Sequence, residues 1–350
     1  MEKISTYIII LAAGKATRLK PLSYKVPKPL IEIGGKTLIS RIISTFDEAG
    51  FKKFVILIGY KGDYIRKEVQ NKENLEIDFV YQSVQKGMAD GLELALKYLL
   101  EKEKAFENFF LSAADVVFSK NEIIQMYKLF KNSSADMVLS LMKSNDLNIA
   151  KGHANVKISK SSHTINDTDI KHGLKINDII EKPGVSQILS NYYSLPLYLF
   201  NKKILSYLGD IPLSSRREKE LQDAIKNSIK NQENVRGINI VKENITEENV
   251  GSYHLTNLKD IIKMNLRFIS PETKLKSKAF SNVIIGKNCK IGYKSKLSNT
   301  VLFDNVIIGE WSSLNWCIVD ENIELSEKFK ESNSFITKNE DNELDIIKFH

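Results

Sequence analysis

Apolar residues recur in two different patterns along the first half of the chain. Short runs rich in Ile, Val and Phe, such as "YIIILAA" and "FVILIGY", alternate with segments in which apolar residues recur every three or four positions. In "TLISRIISTFDEAG", for example, the apolar residues fall on one face of a helix. Continuous apolar strands between amphipathic helices are typical of a mainly parallel sheet covered on both faces. This pattern predicts a doubly wound α/β domain that binds ligands at the carboxyl ends of its strands.

The pattern changes after Pro271. From residue 281 to 325, Ile-Gly pairs and single aliphatic residues recur at roughly hexapeptide intervals, with the pairs at 285–286, 291–292 and 308–309. This period is the signature of a parallel β-helix, in which the aliphatic residues point into a narrow core. The length allows two to three coils of roughly eighteen residues. A plain antiparallel meander of strands is the alternative interpretation.

These patterns divide the chain into four predicted parts. They are an α/β domain at residues 1–268, a linker at 269–280, a short β-helix at 281–325 and a charged, poorly periodic tail at 326–350. So short a β-helix leaves open ends, which we expect to be buried against the α/β domain or against another subunit of a homo-oligomer.

Composition excludes several classes of protein. The net charge of +8, from 51 Lys+Arg and 43 Asp+Glu, is spread over the chain, which favours a solvated surface over a nucleic-acid site. The two cysteines, Cys289 and Cys317, lie outside any CxxC spacing, so neither a disulfide framework nor a cysteine metal site is expected. The apolar N-terminal run is too short for a signal peptide, and no stretch approaches the roughly 18 residues of a membrane span. We therefore expect a cytoplasmic protein with no membrane and no nucleic-acid partner.

The segment "LAAGKATRLKPLSYKVPKPL" combines a strand end with features that suit phosphate binding. Gly14 permits a tight turn whose backbone N–H groups can surround an anion. Arg18 adds a planar fork that matches phosphate oxygens, and Lys28 is held between two prolines. Neither GxxxxGK[ST] nor GxGxxG occurs, which excludes the two commonest nucleotide loops. Taken alone, the turn also fits a packing role.

The whole segment resembles the N-terminal signature of the sugar-1-phosphate nucleotidylyltransferases, LAAGxGTRLxPLTxxxPKPL. Further segments match this family in the same order: "YQSVQKG" resembles the base-recognition segment, "LSAAD" ends at the metal-binding aspartate, and "EKP" resembles a sugar-phosphate motif. The resemblance covers residues 4–266. It implies a mixed, mainly parallel sheet of the nucleotide-diphospho-sugar transferase type, and relatives acting on glucose-1-phosphate or mannose-1-phosphate commonly carry a left-handed β-helix at the C-terminus.

The resemblance also implies roles for individual residues. Those implied to bind the nucleotide are Leu11, Ala13, Gly14, Lys15, Ala16, Thr17, Arg18, Gln82 and Gly87. Those implied to bind the sugar phosphate are Gly152, Glu181 and Lys182. The implied catalytic residues are Arg18, Lys28 and Asp115, with Asp115 holding Mg²⁺ or, as a second possibility, Mn²⁺.

The implied substrates are a nucleoside triphosphate and a sugar-1-phosphate, and the products are a nucleotide-sugar and pyrophosphate. The attacking oxygen belongs to an ionised phosphate, so no general base is required, and positioning, cations and a divalent metal supply the catalysis. This requirement agrees with the lack of a convincing Ser/His/Asp arrangement. The resemblance does not identify the base of the nucleotide. Gln82 favours thymidylyl or uridylyl transfer, and guanylyl transfer is the alternative.

Three departures from the family pattern concern the site. Ala16 replaces the second glycine of the signature, and "GMAD" replaces GTA or GLA beside the base pocket. His254 aligns with the second metal aspartate, although a neutral imidazole is a poorer match for Mg²⁺ than a carboxylate. Two interpretations follow: His254 is a metal ligand, or it packs near the helix that starts after Thr256 while another carboxylate reaches the metal.

Two other functions compete with an active nucleotidylyltransferase. The departures favour a catalytically weak relative that binds nucleotide-sugar and regulates a partner, while the retained Arg18, Lys28, Asp115 and Lys182 favour the enzyme. A bifunctional enzyme with an acyl-transferring β-helix would need a base such as histidine. It is disfavoured because the chain has no histidine between His254 and the terminal His350.

Overall fold

A computed structural model gives the architecture. It describes residues 6–159, 171–268 and 279–349. Most of the predicted linker, 269–280, therefore lies outside the described residues.

The chain forms two compact units. The first comprises Met1–Ile31 and Thr37–Val250, and the second Glu32–Lys36 and Gly251–His350. The change of unit after Val250 comes earlier than the domain end predicted at residue 268. The reason is that the last helix, Leu258–Phe268, packs on strands of the C-terminal sheet and belongs with them. No helix in the described ranges is both long and apolar enough to cross a membrane.

Up to residue 143 the strands alternate with helices, as the apolar pattern predicts, apart from one pair of two-residue strands; from there to residue 201 no α-helix separates the strands among the described residues. The strands are β1 (Tyr7–Ala12), β2 (Glu32–Ile33), β3 (Lys36–Thr37), β4 (Lys53–Ile58), β5 (Glu76–Tyr81), β6 (Asn108–Ala113), β7 (Met137–Lys143), β8 (Ala154–Ile158), β9 (Leu174–Ile180), β10 (Tyr192–Asn201) and β11 (Val235–Asn239). The α-helices are α1 (Leu22–Lys25), α2 (Leu38–Glu48), α3 (Gly62–Val69), α4 (Met88–Glu101), α5 (Lys120–Asn132), α6 (Leu221–Lys230) and α7 (Leu258–Phe268). Side chains cap three of them: Thr37 accepts from the Ser40 N–H before α2, Ser119 forms a capping box with Glu122 at α5, and Asn257 accepts from the Asp260 N–H before α7.

Nine strands of the first unit form one sheet in the order β5-β4-β1-β6-β10-β7-β11-β9-β8. The neighbours β5, β4, β1 and β6 are parallel, and so are β7 and β11, whereas β10 runs antiparallel between β6 and β7. The prediction of a mixed α/β sheet is confirmed. Because β1, β4, β5 and β6 are parallel, their carboxyl ends share one edge of the sheet, where most of the predicted nucleotide residues lie.

The second unit contains the parallel β-helix strands. Its strands are β12 (Phe280–Ile285), β13 (Lys290–Ile291), β14 (Lys296–Leu302), β15 (Ile307–Ile308), β16 (Ser313–Val319), β17 (Glu324–Leu325), β18 (Lys330–Lys338) and β19 (Leu344–Lys348). They form the sheets β12-β14-β16-β18-β19 and β13-β15-β17. Successive coils pair Lys290 with Ile307 and Ile307 with Glu324, a repeat of 17 residues where about eighteen were expected. Ile308 and Leu325 are buried inside the coils, as a β-helix requires.

The chain after residue 326 differs from the predicted tail. Strand β18 continues the parallel ladder of β16, and β19 returns antiparallel along β18. Phe335 and Ile336 are both fully buried, so this segment belongs to the folded unit. Its charged residues lie mostly at exposed positions. Because they outnumber the apolar residues, the sequence of this segment shows no clear apolar period.

Candidate active site

Two of the predicted catalytic residues meet at the sheet edge. Lys28 lies in a short 3₁₀ helix, Lys28–Leu30, directly after Pro27, and Asp115 follows the carboxyl end of β6. The Lys28 Nζ atom lies 2.6 Å from Asp115 Oδ2, across 87 positions of sequence. Both side chains are mostly buried, with 17% and 22% of their surface exposed. The fold therefore brings the signature lysine and the predicted metal carboxylate into a direct ion pair.

Small residues let the ends of β1, β4 and β5 approach closely. A Cβ atom added to Gly59 would lie 2.8 Å from the Gln82 carbonyl oxygen and 3.0 Å from Ala13. A Cβ atom on Gly91 would lie 2.9 Å from Leu57 and 3.3 Å from Leu11. The obstacle at Gly59 is a backbone carbonyl, so glycine is needed there, whereas at Gly91 the Leu57 methyl group would have to shift. Leu11, Ala13 and Gln82, all predicted nucleotide residues, are brought together in this way.

The phosphate loop has a left-handed residue at its tip. Ala16 adopts φ 50° and ψ 49°, a conformation that costs a non-glycine residue roughly 1–2 kcal/mol. This backbone explains why the family signature has glycine there. The next residues, Thr17–Leu19, form a 3₁₀ turn that leaves Arg18 exposed. Gly14 and Lys15 are exposed as well, and the phosphate-binding roles of these residues stay predictions.

Gln82 has a fixed amide at the end of β5. Its side chain is buried, and its Nε2 atom donates to Asp90 Oδ2 at 2.8 Å. A carboxylate only accepts hydrogen bonds, so the amide nitrogen must face Asp90 and Oε1 points elsewhere. Asp90 itself lies in the first turn of α4, where the helix dipole favours a negative charge. The sequence predicted Gln82 and missed Asp90, which orients it.

A hairpin, Leu213–Lys219, packs against the base segment. Leu213 and Lys219 form a β-bridge, the Lys219 N–H donates to the Lys86 carbonyl at 2.6 Å, and the Ala89 N–H donates to the Lys219 carbonyl at 3.2 Å. Gly87 has φ 102°, and a Cβ atom there would lie 2.5 Å from the Lys219 carbonyl oxygen. Gly87 is therefore required by both backbone conformation and close packing.

The hairpin also contacts the predicted sugar-phosphate segment. Arg216 Nη2 lies 3.5 Å from Glu181 Oε1 and 2.7 Å from Glu220 Oε1. Lys182 Nζ lies 3.1 Å from the same Glu181 oxygen, and Lys182 has φ 45°. Burial acts to lower the pKa of Arg216, but pairing with Glu220 and Glu181 outweighs it and raises that pKa. Two cations thus converge on one carboxylate, and one of them, Arg216, belongs to none of the sequence motifs.

Asn155 forms hydrogen bonds with the end of the loop that carries Lys182. This fully buried residue of β8 donates from Nδ2 to the carbonyls of Ser190 and Tyr192, both at 2.9 Å. Its Oδ1 accepts from the N–H of Leu189 at 2.6 Å and of Ser190 at 3.3 Å. All four hydrogen-bonding positions of the amide are used. The bonds fix residues 189–192 against β8.

The remaining predicted site residues are Gly152 and His254. Gly152 follows the 3₁₀ helix Leu147–Lys151, and a Cβ atom there would meet open space. His254 belongs to the second unit, and its role as a metal ligand stays a prediction. Nearby, the buried Asp260 accepts from Thr256 and Asn257 at the start of α7, so its carboxylate is committed to that helix end. Among the described residues, no cluster of three or more His, Cys, Asp or Glu could hold a metal.

Comparison with known proteins places the chain in a family. Residues 7–243 match the nucleotidyl transferase family model, so the chain belongs to the nucleotidyl transferase family. Residues 260–332 match the model described as GlmU-like, C-terminal hexapeptide. The resemblance inferred from the sequence and the hexapeptide β-helix are both confirmed.

The curated relatives carry several names. One is the bifunctional protein GlmU of Methanococcus maripaludis, 27% identical over 64% of this chain and 47% of its own length. Others are UTP–glucose-1-phosphate uridylyltransferase AglF of Haloferax volcanii, 28% identical over 62% and 81%, and mannose-1-phosphate guanylyltransferase catalytic subunit beta of Drosophila pseudoobscura, 26% identical over 61% and 53%. The chain thus spans about half the length of the GlmU proteins it matches.

Solved structures share the fold. UDP-glucose pyrophosphorylase complexed with UDP-glucose matches with a TM-score of 0.55 and 19% identity, over 67% of this chain and 90% of that one. An apo UDP-glucose pyrophosphorylase matches with a TM-score of 0.60 and 18% identity, over 75% and 97%.

Proposed function

We propose that this chain transfers a nucleotidyl group from a nucleoside triphosphate to a sugar-1-phosphate and releases pyrophosphate. The observation that carries the proposal is the 2.6 Å pair between Lys28 and Asp115 at the carboxyl edge of the sheet. It joins the lysine of the family signature to the carboxylate predicted to hold a metal. The relatives named uridylyltransferase and guanylyltransferase support the same reaction class.

The chemistry needs cations more than a base. A sugar phosphate is largely dianionic at neutral pH, so its oxygen can attack the α-phosphorus directly, and the bond to the leaving pyrophosphate breaks as the new bond forms. Arg18 and Lys28 would neutralise the triphosphate and the leaving group. Lys182 would hold the sugar phosphate, while Glu181 accepts hydrogen bonds from sugar hydroxyls. These charges lower the repulsion between two anions in the transition state.

The Asp115 carboxylate fits a magnesium ion. Mg²⁺ prefers hard oxygen ligands and usually takes one or two carboxylates together with substrate phosphates. Asp115 supplies one such oxygen at the strand end and keeps part of its surface exposed. When bound, the metal neutralises charge on the phosphates. Mn²⁺ would fit the same ligand.

We further infer a cytoplasmic enzyme that acts on small molecules and forms a homo-oligomer. The two cysteines are free, and Cys317 is buried, which suits a reducing compartment. Gln82, with its amide held by Asp90, is the residue proposed to read the base. The relatives' names favour UTP with glucose-1-phosphate and GTP with mannose-1-phosphate as the first pairs to try.

The test is pyrophosphate release from a panel of nucleoside triphosphates and sugar-1-phosphates with Mg²⁺. One pair should give turnover. Lys28→Ala should lower kcat/KM roughly 10- to 150-fold, the effect of losing one charge-assisted contact. Lys25→Ala, at an exposed lysine of α1, is the matched control and should leave turnover unchanged. Nucleotide-sugar binding without pyrophosphate release from any pair would instead identify a regulatory relative.

A further inference from the structure

Charge is segregated along the β-helix. Residues 279–296, which form the first coil, contain four lysines and no acidic residue. Residues 297–327, which follow, contain six acidic residues and no lysine or arginine. The even distribution seen over the whole chain therefore does not hold in this unit. One end of the solenoid is cationic and the part above it is anionic.

The segregation is sharpest on the sheet β13-β15-β17. Its outward-facing residues are Lys290, Ile307 and Glu324, which are paired in register from coil to coil. Adjacent strands lie about 5 Å apart, so Lys290 and Glu324 are about 10 Å apart with Ile307 midway. Along this column, a positive residue is followed by an apolar one and then by a negative one.

The turn that leads into the same sheet also has a positive residue in the first coil and a negative one in the third, with the acidic Asp304 between them. Lys287 occupies it in the first coil and Glu321 in the third, and both are exposed. Between them, Asp304 accepts a hydrogen bond from the Lys287 N–H at 2.7 Å, so its carboxylate is held against the neighbouring coil. Among the described residues, Lys287, Lys290, Glu321 and Glu324 form no ion pair with one another or with other side chains. These four residues and Ile307 are called the charged face below.

Apolar surface lies at the level of the middle coil. Ile307 is 37% exposed, and Trp311, in the turn that leaves the sheet, is 48% exposed. Trp311 meets Tyr293 edge to face at 6.4 Å, and Lys294 lies 4.2 Å from the Trp311 ring. An apolar centre with a charged rim is the usual anatomy of a protein interface.

The charged face is complementary to itself. A two-fold axis that passes Ile307 along the strand direction would invert the coil order and keep each column in place. Lys290 would then face Glu324 of a second copy, Lys287 would face Glu321 of a second copy, and Ile307 would meet its own equivalent. We propose that this face binds a second copy of the chain with the two β-helices antiparallel. The inference rests on the second unit alone and does not use the proposed reaction.

The charged face is small, so the proposed dimer should be weak. Three strands span only about 10 to 15 Å, which is less than a standard interface occupies. The dimer should therefore depend on protein concentration. It should also depend on salt, because exposed charges are screened within about 3 Å at 1 M ionic strength and about 10 Å at 0.1 M.

Sedimentation velocity of the full chain tests the proposal with paired charge reversals. The acidic variant carries Lys287→Glu and Lys290→Glu, and the basic variant carries Glu321→Lys and Glu324→Lys. Each should weaken self-association at least tenfold, because like charges then face each other. An equal mixture of the two should associate again, and so should the fourfold variant that carries all four changes.

A control variant carries Lys296→Glu and Lys330→Glu, two exposed positions on the other sheet, and matches the acidic variant in charge. It should associate like the unchanged protein. Equal melting temperatures would show that all variants fold. A monomer at every concentration and salt, reversals without effect, or a fourfold variant that stays dissociated would each overturn the proposal. Loss of association in the control as well would show that net charge, and not this face, is responsible.

Discussion

Asn155→Asp changes one buried atom and should both destabilise the protein and disturb the sugar-phosphate segment. The substitution replaces Nδ2, which donates to the carbonyls of Ser190 and Tyr192, by an oxygen. The bonds accepted from Leu189 and Ser190 can remain. Shape and volume are nearly conserved, so the effect isolates the two donated bonds and the new charge.

The magnitude follows from these contacts. Two lost neutral hydrogen bonds cost about 1 kcal/mol each, and an ionised carboxylate facing two carbonyl oxygens without exposure to water adds a further penalty. We expect a loss of about 3 kcal/mol or more in the free energy of unfolding at pH 8. When the carboxyl is protonated, its O–H can restore one bond, so the loss should fall to about 1–2 kcal/mol at low pH.

The pH dependence has a definite sign. Burial and the facing carbonyl oxygens disfavour the charged form, so the introduced carboxyl should have a pKa above its ordinary value of about 3.9. Between the unfolded and the raised folded pKa, the folded state binds more protons than the unfolded state. The free energy of unfolding, relative to the unchanged protein, should therefore fall as the pH rises through this window.

Urea unfolding of both proteins from pH 4.5 to 8 measures this difference. A difference that does not vary with pH, or one below about 1 kcal/mol at pH 8, would refute the reasoning. The second readout is kinetic and depends on the proposed function. Asn155 pairs with Ile180, the residue before Glu181, and its side chain holds residues 189–192, so it fixes both ends of the loop that carries Lys182.

The variant should therefore raise the KM for sugar-1-phosphate more than the KM for nucleotide. Asn265→Asp is a matched control, because Asn265 is 1% exposed, donates to the Ile261 carbonyl at 2.9 Å and lies in the second unit. It should show the same trend in stability without a selective change in the sugar-phosphate KM. An equal kinetic change in both variants would mean that general destabilisation is responsible.

Three further substitutions test the site. Lys182→Ala should raise the KM for sugar-1-phosphate about tenfold or more, and that for nucleotide less, because a charge-assisted phosphate contact contributes roughly 1.5–3 kcal/mol; unchanged kinetics for both substrates would remove it from the site. Asp90→Asn should reduce discrimination between nucleoside triphosphates in turnover assays, because the Gln82 amide could then reverse; intact discrimination would show that Asp90 does not orient Gln82. Ala16→Gly should raise the free energy of unfolding by a few tenths to 1 kcal/mol, since relief of the left-handed strain exceeds the entropy gained by the unfolded chain, and a lower unfolding midpoint would contradict this.

The elements of the first unit could be predicted because their apolar periods are long and regular. Strands β1 and β4 and helix α2 appear where "YIIILAA", "FVILIGY" and "TLISRIISTFDEAG" place them. Strands β18 and β19 could not be predicted in the same way. Strand β18 has only two apolar residues, the adjacent Phe335 and Ile336, and in β19 the apolar Leu344 and Ile346 are exposed, so neither strand shows a regular apolar period.

The candidate site likewise contains residues that could be predicted from the sequence and residues that could not. Motif residues such as Lys28 and Asp115 could be found from local sequence, although their ion pair spans 87 positions and has no local signal. Asp90, Arg216 and Asn155 carry no motif of their own. Each acts by contacting a motif residue or its loop, and such contacts exist only once the sheet has brought distant segments together.

Two of the three cations proposed to bind phosphate, Lys28 and Lys182, are paired with carboxylates in the structure. Lys28 contacts Asp115, and Lys182 and Arg216 contact Glu181. Each of these carboxylates has its own proposed role, one with a metal and one with sugar hydroxyls. On substrate binding, the phosphates would replace the carboxylates as partners of the two lysines. A metal would replace Lys28 as the partner of Asp115. The substrate would therefore not enter a pocket of unpaired positive charges. Such an exchange keeps the side chains in place before substrate arrives, which lowers the ordering cost of binding. Part of the energy of each phosphate contact would also offset a lost ion pair. Each lysine should therefore add less to the affinity for substrate than an unpaired cation would.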